Sequence, residues 1–386
     1  MFNFAALPPL SLYIHIPWCV RKCPYCDFNS HENKHSVSEK QYVAALIADL
    51  DQELPEIWGR QLHSIFIGGG TPSLFSAEAI DELLCGIRAR LPFTADTEVT
   101  LEANPGAIEA NKFQEFHAAG INRLSIGVQS FNDDALQRIG RIHGRKEAIR
   151  AAELAHDAGF DNFNLDLMFG LPQQSLKQAL EDINTAISLE PTHLSHYQLT
   201  LEPNTEFHHQ PPVLPKDELL WDMQDKCQEK LAIGNYGHYE VSAYAKPNRQ
   251  CQHNLNYWQF GDYIGIGAGA HGKISNAQFQ TITRHVKRRH PQEYLQHASN
   301  ELRCSSRNNL SQKDTGFEFM LNALRLKEGF ASSLFAAHTG LPISTVEAPL
   351  KQAEEQALIE WTATHIRPTE KGAAYLNDLL QLFLPE

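Results

Sequence analysis

Cys19-Val-Arg-Lys-Cys23-Pro-Tyr-Cys26 packs three thiols into eight residues. Thiolates converging from one loop can hold a metal ion or an iron–sulfur cluster. A structural zinc site takes four ligands, usually as two spaced pairs. No second pair is present, although His15 or His31 could complete such a site. A cubane cluster has four irons, so three cysteines would leave one iron open to a ligand. The chain's other cysteines are scattered; Cys85, Cys227 and Cys304 read as small buried hydrophobes, and Cys251 is set apart by the His-rich segment beside it. An odd total of seven argues against a disulfide framework and for a reducing compartment.

Further along, Gly68-Gly69-Gly70-Thr71-Pro72 closes a β-branched run. Consecutive glycines either make a tight strand-to-helix turn or let the backbone approach a ligand. Three later runs carry polar residues at or near their ends: Glu102, Gln129 and Asp166. Strand C-termini are where α/β folds place ligands. Cys251-Gln-His253-Asn-Leu-Asn-Tyr257-Trp258 combines a thiol, an imidazole and two large aromatics. Haem iron takes His or Cys ligands, and porphyrin faces pack on aromatic rings. The basic run Arg284, His285, Lys287, Arg288, Arg289 and His290 reads as a solvated face, or as a contact for haem propionates or an acidic partner. Gly267-Ala-Gly269-Ala-His-Gly272 fits G-x-G-x-x-G, but no βαβ unit frames it, so a glycine-rich hinge is the plainer reading.

The elements that must position these residues alternate. Strand-like runs at 12–16, 64–67, 98–102, 124–128, 163–168 and 194–200 are separated by helical-period segments at 39–53, 77–90, 110–119, 146–158 and 176–189, with a further helix at 216–233. That order predicts a parallel sheet with crossovers, either a partial (β/α)6 TIM-like barrel or a doubly wound open sheet. Residues 1–236 are expected to form the barrel. Residues 237–310 form a connecting region, with a strand at 239–245 followed by a His-, Asn- and Gly-rich loop. Residues 311–386 form a mostly helical module. Helices at 317–326, 332–338 and 344–357 (Ser344 as cap), a hairpin at 358–368 and a last helix at 370–383 make a winged-helix-like pattern.

Charge narrows the function classes. The 386 residues carry 33 Lys and Arg against 46 Asp and Glu, a net −13. The segment from residue 310 onward holds six basic and ten acidic side chains. Nucleic-acid binding needs a basic face, so the C-terminal module is read as a partner-binding or lid element. Hydrophobic residues make up 42%, with no apolar run long enough for a membrane helix and no signal-peptide pattern at the start. A cytoplasmic location is therefore expected.

The cysteine loop, with Tyr25 before its last cysteine, resembles the signature of the radical S-adenosylmethionine (SAM) superfamily. The wider string Tyr13-Ile-His-Ile-Pro-Trp-Cys19 to Cys26-Asp-Phe-Asn-Ser30 resembles the oxygen-independent coproporphyrinogen III oxidase-like family, and within it the haem-chaperone branch. The resemblance spans essentially the whole chain. It implies a [4Fe–4S] cluster on Cys19, Cys23 and Cys26 whose open iron chelates SAM, and whose reductive chemistry yields a 5′-deoxyadenosyl radical. It assigns SAM binding to Gly69, Gly70, Thr71, Glu102, Gln129, Arg141 and Asp166, with Tyr13 nearby and Tyr25 near the adenine. It also implies haem binding at the H-N-x-x-Y-W element, with His253 as iron ligand and Tyr257 and Trp258 beside it. Acceptor haemoproteins, membrane-associated respiratory enzymes among them, are the implied partners, and the expected state is a monomer or a cluster-dependent dimer. The oxidases carry a further cysteine two residues after the triad, where this chain has Phe28, and a long extension before the loop, where Cys19 here arrives early. Both differences favour haem delivery over oxidative decarboxylation of coproporphyrinogen III or simple electron transfer.

Overall fold

The computed structural model describes residues 2–33, 38–106 and 110–385. Six parallel strands, β1 (Leu10–Ile16), β2 (Leu62–Gly69), β3 (Glu98–Ala103), β4 (Arg123–Gln129), β5 (Phe163–Phe169) and β6 (His193–Gln198), lie side by side in chain order. The crossovers contain α1 (Glu39–Glu53), α2 (Ala77–Arg88), α3 (Phe113–Ala119), α4 (Arg145–Asp157) and α5 (Leu176–Ser188), and α6 (Asp217–Ile233) follows β6. Capping chemistry starts several of them. The Ser76 side chain accepts from Ala79 N–H before α2, and Ser175 with Gln178 forms a reciprocal box before α5.

Strand period decides what each face does. On β4, Leu124, Ile126 and Val128 are fully buried in the apolar core, and the alternate positions Arg123, Ser125 and Gly127 line cavities. The same apolar layer takes Leu12, Ile14 and Ile16 from β1, Leu165 and Leu167 from β5, and Leu83 and Ile87 from α2.

The sheet extends further than the sequence reading expected. The run 239–245 is two strands, β7 (Gly237–Glu240) and β8 (Ala243–Ala245), because the chain turns at Val241-Ser242, where Glu240 Oε2 accepts from Ser242 N–H at 3.0 Å. The His- and Asn-rich loop contains a helix, α7 (Gln252–Trp258). The glycine-rich stretch is no free hinge: β9 (Asp262–Ile266) ends at Gly267 and pairs parallel with β1. Beyond it, β10 (His271–Asn276), β11 (Thr281–Lys287) and β12 (Cys304–Asn309) continue antiparallel, so the six parallel strands of the expected partial (β/α)6 barrel belong to one twelve-stranded sheet.

The C-terminal module has its own core of Phe319, Phe335, Leu350, Ile366 and Leu379. It comprises α8 (Gln312–Ala323), β13 (Phe330–Ala331), α9 (Ser332–Thr339), α10 (Glu347–Glu355), β14 (Ile359–Trp361), β15 (His365–Pro368), α11 (Glu370–Ala374) and α12 (Leu376–Gln381). Its three strands form one small sheet, the wing of a winged-helix arrangement. Ser344 is not a cap; it lies in a 3-10 turn, Ile343–Val346, that precedes α10. The last expected helix breaks at Tyr375 into α11 and α12.

Of the basic run, His285 and Lys287 on β11 are buried, Arg284 and Arg288 are half-buried, and Arg289 and His290 are exposed. Lys287 is 1% exposed and donates to Asp49 Oδ1 and Glu53 Oε1 of α1, both at 2.6 Å. Arg303 donates to the same two carboxylates, and the ring of His285 lies 3.5 Å from Glu53 Oε2. This network binds α1 to the added strands. Burial pushes the Glu53 carboxyl up, but the charges of Lys287, His285 and Arg303 outweigh it and hold the group at about 2, against an ordinary 4.5. A depressed carboxyl contributes stability above its unfolded pKa and loses it as pH falls through the folded one. Urea unfolding is therefore expected to show a stability loss of up to about 3 kcal/mol assignable to Glu53 between pH 4.5 and 2. Glu53→Gln should be less stable at pH 6 and lose less on acidification; parallel pH profiles for the two proteins would refute this.

Candidate functional site

At the C-terminal ends of the parallel strands, one cavity of about 260 Å³ is lined by Cys19, Cys23 and Cys26. The loop leaves β1, makes a turn closed by Cys26 N–H to the Cys23 carbonyl at 3.1 Å, and is anchored where Asn33 N–H donates to the Cys19 carbonyl at 2.9 Å. Polar groups face each sulfur: the Thr71 hydroxyl for Cys19, Arg141 Nη1 at 3.7 Å and the Tyr25 hydroxyl for Cys23, and the Ser30 hydroxyl at 3.7 Å with the Phe28 backbone N–H for Cys26. Burial raises the Cys19 thiol to about 11 and pushes Cys26 upward too. Three half-buried, unbridged thiols with donors facing them suit metal-bound thiolates. His15 and His31 do not line this cavity. His15 is tied at both ring nitrogens, to the Tyr13 hydroxyl and the Asn29 carbonyl, each at 2.9 Å. The four-ligand zinc alternative therefore lacks its histidine, and the three-thiol set fits a cluster with one open iron.

The other wall of the same cavity carries Tyr25, Gly69, Gly70, Thr71, Glu102, Gln129, Arg141 and Asp166. Gly69 has φ +121°, and a Cβ there would stand 2.7 Å from the His15 ring. Only glycine adopts that backbone without strain. A Cβ on Gly70 would meet the Trp18 carbonyl at 2.6 Å, so both glycines are required for the turn to pass under the cysteine loop. Gly69 N–H donates to Glu102 Oε2 at 2.9 Å. Gln129 has φ +68° at a register shift in the β4–β5 ladder, and its Oε1 accepts from the Tyr197 hydroxyl at 2.7 Å.

The electrostatics favour a ligand carrying both charge signs. Burial, then the neighbouring Asp166, raises Glu102 to about 7 against the Gly69 hydrogen bond that lowers it. Asp166 is also raised by burial, although Asn164, Ser195 and Ser125 donate toward its ionised form. A cation placed between them would restore both charges. Arg141 donates to the Gly127 carbonyl and to Asn104 Oδ1 at 2.8 Å, and Asn104 Nδ2 in turn donates to Thr71 Oγ1 at 2.9 Å. Asn104, Ser125, Asn164 and Tyr197 were not singled out from the sequence. Asn104 stands just past a strand end before Pro105, a position whose signal is weak without the fold.

Tyr13 lies elsewhere. With His253, Tyr257 and Trp258 it lines a second, larger cavity of about 1080 Å³. The two cavities share Phe28, Gly69, Glu102, Ser125 and Asp166 as a common wall. His253 and Tyr257 are four residues apart on α7 and so share a helical face. Ser64 Oγ lies 3.1 Å from His253 Nδ1 and also donates to Ser11 Oγ at 2.8 Å. A proton on Nδ1 would leave the Nε2 lone pair free to ligate. Burial, then Arg123, lowers His253 to about 3, which keeps the ring neutral. Cys251 is not available as a ligand. It is fully buried under α7 and donates to Glu98 Oε1 at 3.5 Å. From the basic run, Arg284, His285 and Arg289 reach the larger cavity, and Lys287 does not.

The model for the radical SAM superfamily matches residues 13–186, and that for the HemN C-terminal domain matches residues 310–375. A protein of Escherichia coli K12 named "Heme chaperone HemW" is 53% identical over 380 residues, covering 98% of this chain and 99% of that one. The Haemophilus influenzae protein of the same name is 51% identical over 386 residues, and the Bacillus subtilis one 35% over 383. Among solved structures, coproporphyrinogen III oxidase (HemN) from Escherichia coli, described as a radical SAM enzyme, superposes with a TM-score of 0.82 at 23% identity. The match covers 98% of this chain and 90% of that one, a likeness of fold. Among the described residues no helix is long and apolar enough to cross a membrane.

Asn104 offers a clean test of the smaller cavity, because it touches Arg141 and Thr71 but no thiol. In anaerobically reconstituted Asn104→Ala, iron per chain should match wild type while SAM affinity by calorimetry falls about tenfold, the worth of one charge-assisted hydrogen bond. Unchanged affinity would remove Asn104 from the site.

Proposed function

The chain belongs to the heme chaperone HemW family and carries a radical SAM domain, and from that premise we propose that it binds haem and delivers it to acceptor haemoproteins. The smaller cavity holds a [4Fe–4S] cluster on Cys19, Cys23 and Cys26, with SAM beside it; the larger cavity holds haem. When bound, the cluster supplies an iron with a vacant position for the amino-acid end of SAM.

The chain's own groups then have distinct tasks. Thr71, Arg141 and Ser30 hold the three sulfurs through hydrogen bonds. Glu102 and Asp166 present paired carboxyls to the positive part of SAM, its ammonium or sulfonium. Arg141, held by Asn104 and the Gly127 carbonyl, presents its remaining donors to a carboxylate. Gln129, fixed by Tyr197, and the Tyr25 ring position the nucleoside. His253 offers Nε2 to haem iron, and Tyr257 and Trp258 supply aromatic surface for the macrocycle. Candidate acceptors are haem-dependent respiratory enzymes, met by a cytoplasmic protein at the membrane surface. The expected solution state is a monomer or a cluster-dependent dimer.

What supports this reading is that His253 lines a cavity of about 1080 Å³ that shares a wall with the three-thiol cavity. Anaerobic reconstitution should give about four irons per chain, and Cys→Ala at all three positions should reduce iron to background. Haem titration should give a Soret band that shifts, with affinity about tenfold weaker, in His253→Ala. An unchanged spectrum and affinity in that variant would remove His253 as ligand. Conversion of coproporphyrinogen III to protoporphyrinogen at ordinary turnover, with SAM and reductant, would overturn the chaperone reading.

A further inference from the structure

Arg123 is a buried charge of the larger cavity, 2% exposed, without a hydrogen-bond partner for its Nε among the described residues. The nearest anion, Glu98 Oε2, lies 3.9 Å away, beyond hydrogen-bond reach. Both carboxylates in its neighbourhood are already engaged. Glu98 accepts from the backbone N–H of Gln252 and His253 at 3.2 and 3.1 Å, and Asp166 accepts from Ser125 and Asn164 at 3.1 and 2.8 Å. A guanidinium has five donors in a planar fork, and leaving them unused inside a protein is costly. The fork fits a carboxylate with two parallel hydrogen bonds.

The walls around it narrow the ligand. Phe66, Tyr257, Trp258 and Tyr263 give flat apolar surface, and the volume of about 1080 Å³ exceeds what a small metabolite needs. The complementary ligand is a flat apolar macrocycle with a carboxylate at its edge. Arg284, which also lines the cavity, is already paired with Glu318 of α8 and the Tyr263 hydroxyl.

Resting on the haem-binding reading above, we propose that Arg123 is the internal receptor for a porphyrin propionate. The carboxylate edge of the macrocycle then points inward, toward the wall shared with the smaller cavity. Arg123 stands two residues before Ser125 on the same face of β4, and Ser125 belongs to that shared wall.

The probes are metal-free protoporphyrin IX and its dimethyl ester, titrated by fluorescence in one dilute-detergent buffer against the anaerobically reconstituted full chain. Wild type should bind the free acid at least tenfold more tightly than the ester. Arg123→Gln should lose that preference while its ester affinity stays within about twofold, and Arg123→Lys should keep part of it. A merely structural arginine would lower the melting temperature without moving the acid-to-ester ratio. Should Arg123→Gln fail to fold, the wild-type comparison and Arg123→Lys still decide: equal acid and ester affinities in wild type, or a wild-type ratio in either variant, overturn the proposal. Failure of the haem-ligand reading is separate. It shows as haem binding no tighter than the metal-free acid, with His253→Ala unchanged, and leaves the Arg123 ratio standing. No measurable porphyrin binding by wild type overturns both.

Discussion

The carboxylate of Glu98 joins the parts that matter most. It opens β3, accepts two backbone N–H groups at the start of α7, takes the thiol of Cys251, and is the anion nearest to Arg123. Through these contacts the seven-residue helix that carries His253 is fixed against the parallel sheet, although it has no side-chain cap of its own. A helix that short gains little from its own hydrogen bonds and depends on what it packs against. Leaving any of these groups unpaired inside the protein would cost more than the pairing returns. The joint is therefore tight, and the imidazole stays at one height above the sheet.

This dependence explains what could and could not be read from residues alone. Strands β1 to β6 and the helices between them follow from apolar spacing, because each buries one face against the shared core and the pattern is local. The helix at Gln252–Trp258 does not announce itself: its residues are largely polar, and its N-terminal N–H groups are satisfied by an acid 154 and 155 residues away in sequence. The basic run on β11 misleads for a similar reason. Lys287 looks like a surface lysine until α1 brings Asp49 and Glu53 against it across 238 and 234 residues.

The smaller cavity was more legible than the larger. The thiol spacing, the glycine turn and the polar strand ends each carry their own chemical signature, and parallel topology gathers strand ends on one side. The supporting residues carry none. Asn104 acts only by linking Arg141 to Thr71, and Tyr197 only by holding Gln129 in its left-handed conformation. Arg123 escaped notice because an arginine opening a strand is ordinarily solvated; its burial is a property of the assembled sheet.

The shared wall also sets which ligands are compatible. Glu102 and Asp166 face both cavities, flanked by Arg141 on the smaller side and Arg123 on the larger. Glu102, raised to about 7 chiefly by burial, marks a wall short of positive charge. A cationic group entering from the smaller side supplies that charge and favours ionisation of both carboxyls. A carboxylate entering from the larger side then depends on Arg123 to offset the wall's negative charge. The two cavities are electrostatically distinct despite their common residues, with Arg141 lining the smaller and Arg123 the larger.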